Sequence, residues 1–486
     1  MSAAGASGLG RAIAPLVAAH PGHCGIYPLR DPQEAFAARA LLAAAAEHTL
    51  DVQCYIWHAD VSGTLLFDAL RAAADRGVQV RLLLDDANTA GLDPILLVLD
   101  QHPRIAVRLF NPFRSRRWRW LDYVTNLARV NRRMHNKSFT IDGQVTIVGG
   151  RNIGDEYFGV PEAVEFEDLD VIAVGPVVRD VGSAFDRYWE SESAVPIASV
   201  LRRPPVAKRG IGLPVVLSDR QQAISREYAQ AMGRSSFARD LESGRLGFEW
   251  APARLWVDPP LKGMGRAAAR QLVSRRLREL FGESASHVDL VSPYFVPGRW
   301  GAKYLATLAR RGNRIRVLTN ALESTDVLAA HAGYTKYRRR LLSAGVKLYE
   351  LKRSPAAPVV ARELRGDARP RRSMPASSRS SLHAKTFAID GARVFVGSLN
   401  FDPRSAKLNT EMGVVIDCPA LAQRVSTVFD EHVAFRAYEV VLTHGRISWL
   451  EKKDGLTVEH GREPGATLWQ RFLVRIYSAL PIESLL

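Results

Sequence analysis

The sequence predicts an α/β fold in which one layered unit of strands and helices is present twice. The stretch HNKSFTIDGQVTIVGGRN, residues 135–152, returns as HAKTFAIDGARVFVGSLN at 383–400. His135 and His383 are 248 residues apart in a chain of 486 residues, about half its length. Apolar runs with the periodicity of strands and helices surround both copies in the same order, which favours duplication of a whole structural unit.

Each predicted element of the first half has a counterpart in the second. Runs of β-rich or alternating apolar residues predict strands, and apolar residues three to four positions apart predict helices. The matched pairs are strands at 51–57 and 288–295, helices at 63–77 and 302–312, strands at 78–86 and 313–321, strands at 107–112 and 346–351, strands at 166–175 and 409–417, and helices at 184–190 and 428–434. Strands that alternate with helices in this way predict a layered α/β unit.

The two halves are expected to form separate lobes joined by a connector. We expect the N-terminal lobe at residues 1–190, with the first motif, and the C-terminal lobe at 251–486, with the second. Residues 191–250 contain RRPPVAKRG and a polar, helix-favouring stretch, which predict a partly helical connector. A Pro/Ser/Arg-rich loop at 362–381 directly precedes the second motif, and this position predicts that the loop overhangs the site.

The charge of the chain favours a polyanionic partner. The formal net charge is +16 and the isoelectric point is near 10.0, which suits nucleic acid or a surface rich in anionic lipid. Residues 111–137 combine seven arginines with Trp118 and Trp120, a mixture that fits a bilayer interface, a nucleic-acid strand or a solvated helix. No apolar run approaches the roughly 18 residues of a spanning helix, so we expect a peripheral protein that acts from the membrane surface.

The repeated motif combines a nucleophile and a cation. On a strand, His135 and Lys137 point to the same face because side chains alternate, and the same holds for His383 and Lys385. The ammonium group can hold a non-bridging phosphate oxygen by a charge-assisted hydrogen bond. Asn152, on the next strand, can add neutral donors to the same group. The motif therefore predicts phosphate chemistry.

An acid follows each motif and is predicted to orient its histidine. Asp168 comes 33 residues after His135, and Glu411 comes 28 residues after His383. We expect each carboxylate to accept a hydrogen bond from Nδ1 of the histidine in its own half, which selects the tautomer. With the halves facing each other, the imidazoles flank one phosphodiester. One attacks to form a phosphohistidine, and the other protonates the departing alcohol.

Asp142 and Asp390 follow the motif strands in the tripeptide IDG, which predicts a tight turn. Their odd offset from the histidines places them on the opposite face of a regular strand. We therefore expect both to support the motif structurally from behind the site.

The site is expected to work without metal or cofactor. Lysine is a poor metal ligand, and the motif histidines lack the clustered His, Cys and carboxylate ligands that zinc needs. Cys24, Cys54 and Cys418 are too few and too widely spaced for a disulfide framework or a zinc site. We predict that all three are buried thiols.

Two H-x-K-x(4)-D motifs in one chain resemble the signature of the phospholipase D superfamily. The stretches at 132–158, 382–413 and 480–486 are similar to the bacterial cardiolipin synthases, their C-type branch above all. The resemblance implies two phospholipase D-like lobes, each a mixed β-sheet flanked by helices, with one active site at their interface. It also implies that a phosphatidyl group passes through a phosphohistidine to phosphatidylglycerol. Phosphatidylethanolamine or a second phosphatidylglycerol would be the donor.

The resemblance also assigns residues to the phosphate. They are His135, Lys137, Asn152, His383, Lys385, Ser398 and Asn400. In many members the nucleophile is the histidine of the first motif, which favours His135. Gly150 stands at the position of Ser398, so the first motif lacks one hydroxyl donor, and Arg151 follows it.

Three other functions stay open at this point. A phospholipase D that hydrolyses phospholipids would use the same site with water as acceptor. A nuclease of the superfamily would act on nucleic acid, but such enzymes often carry one motif per chain, so nucleic acid is the less favoured partner. A non-catalytic anion-binding scaffold would not need the paired acids. The expected partners are phosphatidylglycerol, phosphatidylethanolamine and an anionic surface of the bacterial cell membrane, with a small accessory protein left open.

Overall fold

The computed structural model describes residues 7–116, 118–160, 165–201, 219–233, 239–240, 245–282, 285–353, 380–453, 455–480 and 483. The loop predicted at 362–381 lies outside these residues up to position 379, as does much of the predicted connector. Within the described residues the chain forms two large mixed β-sheets with helices packed on them, and one two-stranded sheet.

The strands of the first half and the connector are β1 (Cys24–Leu29), β2 (Thr49–Cys54), β3 (Gln79–Asp85), β4 (Ile105–Phe110), β5 (Ser138–Ile141), β6 (Val145–Gly149), β7 (Glu165–Glu167), β8 (Asp170–Val174), β9 (Ala194–Pro196) and β10 (Glu249–Ala251). Those of the second half are β11 (Ala253–Val257), β12 (His287–Val291), β13 (Arg314–Asn320), β14 (Lys347–Leu351), β15 (Ser380–Leu382), β16 (Thr386–Ile389), β17 (Arg393–Gly397), β18 (Met412–Ile416), β19 (Ala437–Thr443), β20 (Arg446–Lys453) and β21 (Leu456–His460).

The helices of the first half and the connector are α1 (Gly8–Ala18), α2 (Pro32–Ala45), α3 (Val61–Asp75), α4 (Asp93–Asp100), α5 (Arg119–Thr125), α6 (Leu127–Val130), α7 (Asp155–Phe158), α8 (Pro176–Trp189), α9 (Ile197–Val200) and α10 (Asp219–Gly233). Those of the second half are α11 (Val273–Phe281), α12 (Gly298–Arg310), α13 (Leu328–Leu342), α14 (Pro403–Lys407), α15 (Pro419–Thr427), α16 (Val433–Arg436) and α17 (Leu468–Ala479). Short 3₁₀ turns lie at Asp86–Asn88, Pro260–Met264 and Ala269–Gln271, and a π turn lies at Val428–His432.

The two sheets share one strand order. Among the described residues, the first sheet runs β10-β1-β8-β6-β5-β2-β3-β4-β9, and the second runs β11-β18-β17-β16-β12-β13-β14-β19-β20-β21. In each sheet the three strands from β2 to β4, or from β12 to β14, are parallel. All neighbouring strands in the run β1-β8-β6-β5-β2 pair antiparallel, and so do those in the run β11-β18-β17-β16-β12. The predicted fold of two mixed α/β lobes is confirmed.

A repeated ion pair ties the central parallel strands together. Arg81 on β3 holds Asp51 on β2 through two bonds of 2.6 and 2.8 Å. Arg316 on β13 holds Asp289 on β12 in the same way, at 2.6 and 2.7 Å. Bidentate pairs of this kind define the register of neighbouring strands as well as binding charge, so the duplication extends to side-chain contacts.

The lobes meet through apolar faces of their sheets. One buried cluster contains Ile26, Val148 and Val171 from the first sheet with Val396 and Val414 from the second. Helices α2 and α3 cover the outer face of the first sheet, where Phe36, Leu66 and Phe67 are buried, and α11 to α13 cover that of the second. The stabilisation from burying apolar surface is roughly proportional to the area buried. This apolar contact therefore holds the two lobes together, and with them the two motif segments.

The predicted connector at 191–250 is partly built into the first lobe. Strand β9 forms one edge of the first sheet and β10 forms the other. Helix α10 contacts α2 and α3, and the Tyr228 side chain is buried against Phe36. The chain thus returns to the first lobe at residues 249–251 before it enters the second sheet.

Candidate active site

The two H-x-K segments lie in extended chain immediately before β5 and β16, not on these strands as the sequence predicted. The end of a parallel strand holds each segment in place. Met134 N–H donates to the Asp85 carboxylate at 2.7 Å, and Leu382 N–H donates to Oδ1 of Asn320 at 2.9 Å. Asp85 ends β3 and Asn320 ends β13. These side chains satisfy backbone N–H groups next to each motif, as buried donors require.

Each motif histidine is also bonded through its backbone to the opposite lobe. His135 N–H donates to the Thr410 carbonyl at 2.9 Å, and His383 N–H donates to the Glu167 carbonyl at 2.8 Å. The acceptor residue in both cases directly precedes the acid of that lobe, Glu411 or Asp168. Next to His383, strand β15 pairs in parallel with β7 across the lobe boundary.

The imidazole–carboxylate pairs are therefore crossed between the lobes. Nδ1 of His135 lies 2.9 Å from Oε2 of Glu411, and Nδ1 of His383 lies 2.5 Å from Oδ2 of Asp168. The prediction that each histidine uses the acid of its own half was wrong. The inter-lobe backbone bonds explain the crossing, since they place each acid directly beside the histidine of the other lobe.

The two motif lysines lie against the histidines. Nζ of Lys137 donates to the His135 carbonyl at 2.7 Å. Nζ of Lys385 lies 2.8 Å from Nδ1 and 3.0 Å from Nε2 of His383. All four side chains are buried, so the cationic groups and the ring nitrogens share one enclosed volume.

Burial favours the uncharged form of each titratable side chain in this cluster. It lowers the pKa of Lys137 to about 7, helped by the charge of Lys385, and it lowers the pKa of Lys385 to about 8. Burial also raises the pKa of Glu411 to about 7. The pKa of His135 lies well below its ordinary value because of burial and the charges of both lysines. At His383 burial and the charge of Lys385 also lower the pKa, although Asp168 opposes them.

The three residues assigned to phosphate occupy different environments. Asn152 follows β6 and already has partners, because Nδ2 donates to the Tyr157 hydroxyl at 3.0 Å and Oδ1 accepts from Ile56 N–H at 3.2 Å. Ser398 Oγ donates to Glu411 and accepts from the Met412 amide at 3.0 Å. Ser398 thus supports the carboxylate of Glu411.

Asn400 differs from its counterpart in the first motif. Its side chain is buried, and Oδ1 has no hydrogen-bond partner among the described residues. An unsatisfied buried polar atom costs free energy in the absence of a ligand or water. Asn400 therefore presents a buried amide oxygen that can accept a hydrogen bond from a ligand.

Gly150 is required by the position of Asp168. A Cβ atom at Gly150 would lie 2.2 Å from Oδ1 of Asp168, so a serine like Ser398 does not fit here. Arg151 does not replace the missing hydroxyl. Its guanidinium is buried behind the site and donates to the carbonyls of Leu29, Arg30 and Asp168 at 2.7 to 2.8 Å.

Asp142 and Asp390 sit on the turns after β5 and β16, with positive φ angles of 51° and 55°. Asp142 accepts backbone N–H bonds from Glu47, His48 and Thr49 at 2.8 to 3.1 Å. Asp390 accepts from the amides of residues 286 and 287 at 2.8 and 3.0 Å. Both carboxylates thus join the motif turn to the start of the neighbouring strand, β2 or β12.

The sequence reading missed two aromatic walls. The Tyr55 ring packs edge-on against His135 with centroids 4.9 Å apart, and the Tyr157 ring packs in the same way against His383 at 5.1 Å. Tyr55 follows β2, and Tyr157 lies in α7. Both belong to the first lobe, so a search for duplicated residues could not reveal them.

Three ligand-type side chains come together outside the histidine pair. Among the described residues, His58, Asp60 and Glu156 form the group whose ligand atoms lie within 4.8 Å of one another. Asp60 caps helix α3 through Gly63 N–H and accepts from Asp155 N–H. These acids therefore hold the loops beside the site in place, and neither motif histidine belongs to the group.

The comparisons with known proteins define the class. A family model described as "Cardiolipin synthase, PLD-like domain" matches residues 40–189 and 277–433. The first matched range holds the first motif and the second holds the second motif, so the phospholipase D-like unit is present twice. The chain belongs to this family of cardiolipin synthases with phospholipase D-like domains, which confirms the resemblance seen in the motifs.

Individual relatives agree with this assignment. Cardiolipin synthase C of Escherichia coli strain K12 is 49% identical over 483 residues, which cover 98% of this chain and 99% of that protein. Cardiolipin synthase B of the same strain is 26% identical over 373 residues, 76% of this chain and 71% of that protein. A crystal structure of phosphatidylserine synthase from Haemophilus influenzae Rd KW20 superposes with a TM-score of 0.60. That structure covers 98% of this chain at 14% identity, which supports the fold alone.

The contact between Gly150 and Asp168 predicts the effect of adding the missing hydroxyl. We expect Gly150→Ser to lower kcat by about 100-fold, because a displaced Asp168 no longer orients His383. Steady-state kinetics and the melting temperature would be measured together. The control is Gly182→Ala, where a new Cβ meets nothing within 4 Å. Full activity in Gly150→Ser would contradict the steric argument.

Proposed function

We propose that this protein makes cardiolipin by moving a phosphatidyl group through a phosphohistidine onto phosphatidylglycerol. The donor in this proposal is phosphatidylethanolamine or a second phosphatidylglycerol. The observation that carries the proposal is the pair of crossed imidazole–carboxylate contacts, in a chain 49% identical to Escherichia coli cardiolipin synthase C. Two oriented imidazoles meet the need for one nucleophile and one proton donor in a phosphodiester exchange.

In the first step Nε2 of His135 attacks the phosphorus of the donor lipid. The new P–N bond forms as the bond to the head-group alcohol breaks, and His383 gives that alcohol its proton. Nucleophilic attack requires an unprotonated imidazole, and the strongly lowered pKa of His135 meets this condition. Of the two histidines, His383 better suits the acid role, because Asp168 partly opposes the lowering of its pKa by burial and by Lys385.

In the second step the terminal hydroxyl of phosphatidylglycerol replaces the leaving alcohol. His383 removes the hydroxyl proton, the oxygen attacks phosphorus, and the P–N bond breaks to restore His135. Each histidine returns to its starting protonation state, so the cycle needs no other reactant.

The remaining motif residues bind and support in this scheme. Lys137 and Lys385 hold the non-bridging phosphate oxygens, and Asn152 and Asn400 add amide donors. Ser398 supports phosphate binding indirectly, because its hydroxyl donates a hydrogen bond to the Glu411 carboxylate. Asp142 and Asp390 act from behind as structural supports of the motif turns.

The protein is further proposed to bind the surface of an anionic membrane, peripherally and from one side. No helix in the described part of the chain has the length and apolar character needed to cross a bilayer. Two helical regions instead expose apolar side chains, which are Trp118, Trp120, Leu121, Tyr123, Val124 and Leu127 near α5 and α6, and Leu468, Trp469, Phe472, Ile476 and Leu480 along α17. Aromatic and aliphatic faces of this kind insert at the headgroup boundary.

Two of the arginines between residues 111 and 137, a stretch for which lipid was one of the expected partners, bind within the protein. Arg116 is turned inward and pairs with Asp86 and Asp93. Arg133 is buried over the Phe113 ring at 4.7 Å. These side chains attach the segment to the first lobe, so its lipid-facing part is the aromatic side near α5. On α17, Arg475 is exposed beside Phe472 and Ile476, which suits an anionic surface.

A reconstituted assay tests the proposed reaction. Purified protein in liposomes with labelled phosphatidylglycerol, with and without phosphatidylethanolamine, should form cardiolipin detectable by mass spectrometry. We expect His135→Ala to lower turnover by at least about 10⁴-fold and His383→Ala by about 10²-fold to 10⁴-fold. His102→Ala, a surface histidine paired with Asp75, is the control. Phosphatidic acid as the sole product would indicate a hydrolase, and no lipid product would redirect the search to nuclease activity.

The buried charges predict a bell-shaped pH dependence of kcat/KM. As pH falls, protonation of Glu411, whose pKa is raised to about 7, removes the negative charge beside Nδ1 of His135. As pH rises, deprotonation of Lys137 and Lys385, whose pKa values are lowered to about 7 and about 8, weakens phosphate binding. We expect Glu411→Gln to flatten the acid limb, whereas Glu451→Gln on β20 leaves it unchanged. An acid limb that persists in Glu411→Gln would refute this assignment.

Liposome flotation tests the membrane-binding role of α17. The double variant Trp469→Ser/Phe472→Ser removes two exposed rings stacked 5.5 Å apart and should lower the partition coefficient about tenfold. The matched control is Leu456→Ser/Val458→Ser on β21, where the side chains are 71% and 41% exposed. Equal loss in both variants would show that α17 has no special role.

A further inference from the structure

A large cavity adjoins the second motif, and the mechanism above does not use it. It has a volume of about 560 Å³ and lies between α11, α12 and the segment at 399–407. The side chains of Phe281, Leu399 and Phe401 form part of an apolar wall. A cavity of this size and apolar character suits part of a lipid or another amphiphile.

The charged lining of the cavity is mainly basic, although Asp402 and Glu483 also belong to it. Arg299, Lys336 and Lys407 line it and are exposed to solvent. Trp300 also lines it, 47% exposed, with the Arg278 guanidinium 3.9 Å from its ring centroid. An apolar wall with basic side chains beside it complements an amphiphile whose head group is anionic.

The inner end of the cavity reaches the catalytic motif. Asn400 lines the cavity, and its buried Oδ1 has no partner among the described residues. The amide oxygen can accept a hydrogen bond from a hydroxyl group. A ligand in the cavity can therefore present a hydroxyl to the same segment that carries Ser398.

Hydrogen bonds join the cavity wall to segments that neighbour both exposed apolar helical regions. On one side, helix α13 packs against α17. The Tyr337 hydroxyl of α13 donates to the Glu483 carboxylate in the cavity wall at 2.6 Å. On the other side Arg132, just after α6, donates to the Lys407 carbonyl at 3.1 Å. A bilayer that contacts both helical regions would lie next to the cavity.

The chemistry of transfer requires a second anion site. The phosphorus of the donor must lie between the two histidines, where it is attacked. The phosphate of the acceptor is not attacked, so it must be held elsewhere, about one glycerol unit from the attacking hydroxyl. One cavity thus offers basic side chains for the acceptor phosphate, an apolar wall for its acyl chains and Asn400 for its hydroxyl.

We propose that this cavity is the binding site of the acceptor, phosphatidylglycerol. Its acyl portion lies along the Phe281 and Phe401 side of the cavity, its phosphate lies at Arg299 and Lys336, and its terminal glycerol hydroxyl lies at Asn400. This inference rests on the proposed function, because only a transferase needs a lipid acceptor.

Fluorescence quenching tests the site without turnover. The full-length protein with His135→Ala is titrated with a short-chain phosphatidylglycerol that carries brominated acyl chains. We expect quenching that decreases when Trp300→Phe is added, and decreases again with Arg299→Glu/Lys336→Glu. Glycerol 3-phosphate, which lacks acyl chains, should not displace the lipid at equal concentration. Quenching that is unchanged by Trp300→Phe would overturn the proposal, as would displacement by glycerol 3-phosphate.

Kinetics distinguish this site from the reaction itself. In the wild-type background, Arg299→Glu/Lys336→Glu should raise KM for phosphatidylglycerol about tenfold, with kcat within about twofold. The control Lys303→Glu/Arg310→Glu reverses the same number of charges on α12, outside the cavity, and should leave KM unchanged. An unchanged KM in the first variant would overturn the site even if cardiolipin forms. Quenching at Trp300 without cardiolipin synthesis would support the site and reject the proposed function.

Discussion

The structure depends on the crossed pairing of two histidines with two carboxylates across the lobe boundary. His135 takes its backbone acceptor and its Nδ1 partner from the second lobe, and His383 takes both from the first. Neither histidine is oriented by its own half, so a single lobe holds no complete imidazole–carboxylate pair. The apolar contact between the sheets therefore supports the site directly, because any shift between the lobes separates both pairs at once.

This arrangement concentrates charge where water is excluded. Two lysines, two acids and two imidazoles share the buried lobe boundary, and the low effective dielectric there makes each charge costly unless it is paired. The pKa values of Lys137 and Glu411 both move to about 7 as a result. A phosphodiester that enters this cluster brings negative charge to the lysines and so compensates for the hydration that the lysines lose on burial. The same burial can therefore favour both phosphate binding and proton transfer.

Duplication has left the two halves unequal in ways that matter for function. Gly150 has no side chain and leaves room for the Asp168 carboxylate, whereas the Ser398 hydroxyl donates to Glu411. The aromatic rings against both histidines come from the first lobe, and the large cavity lies in the second. An exchange reaction has two chemically different partners, one attacked at phosphorus and one attacking through oxygen. Unequal halves suit that difference better than strict symmetry.

The amino-acid sequence alone was enough to predict the duplicated α/β units, the order of strands and helices along the chain and the set of motif residues, because periodicity and spacing are local properties that repeat visibly. The folded structure determined which acid pairs with which histidine, since spacings of 33 and 28 residues along the chain are compatible with either pairing. It also decided that Arg151 turns away from the site and that Tyr55 and Tyr157 pack on the imidazoles. These contacts join residues distant in sequence, so no local pattern predicts them.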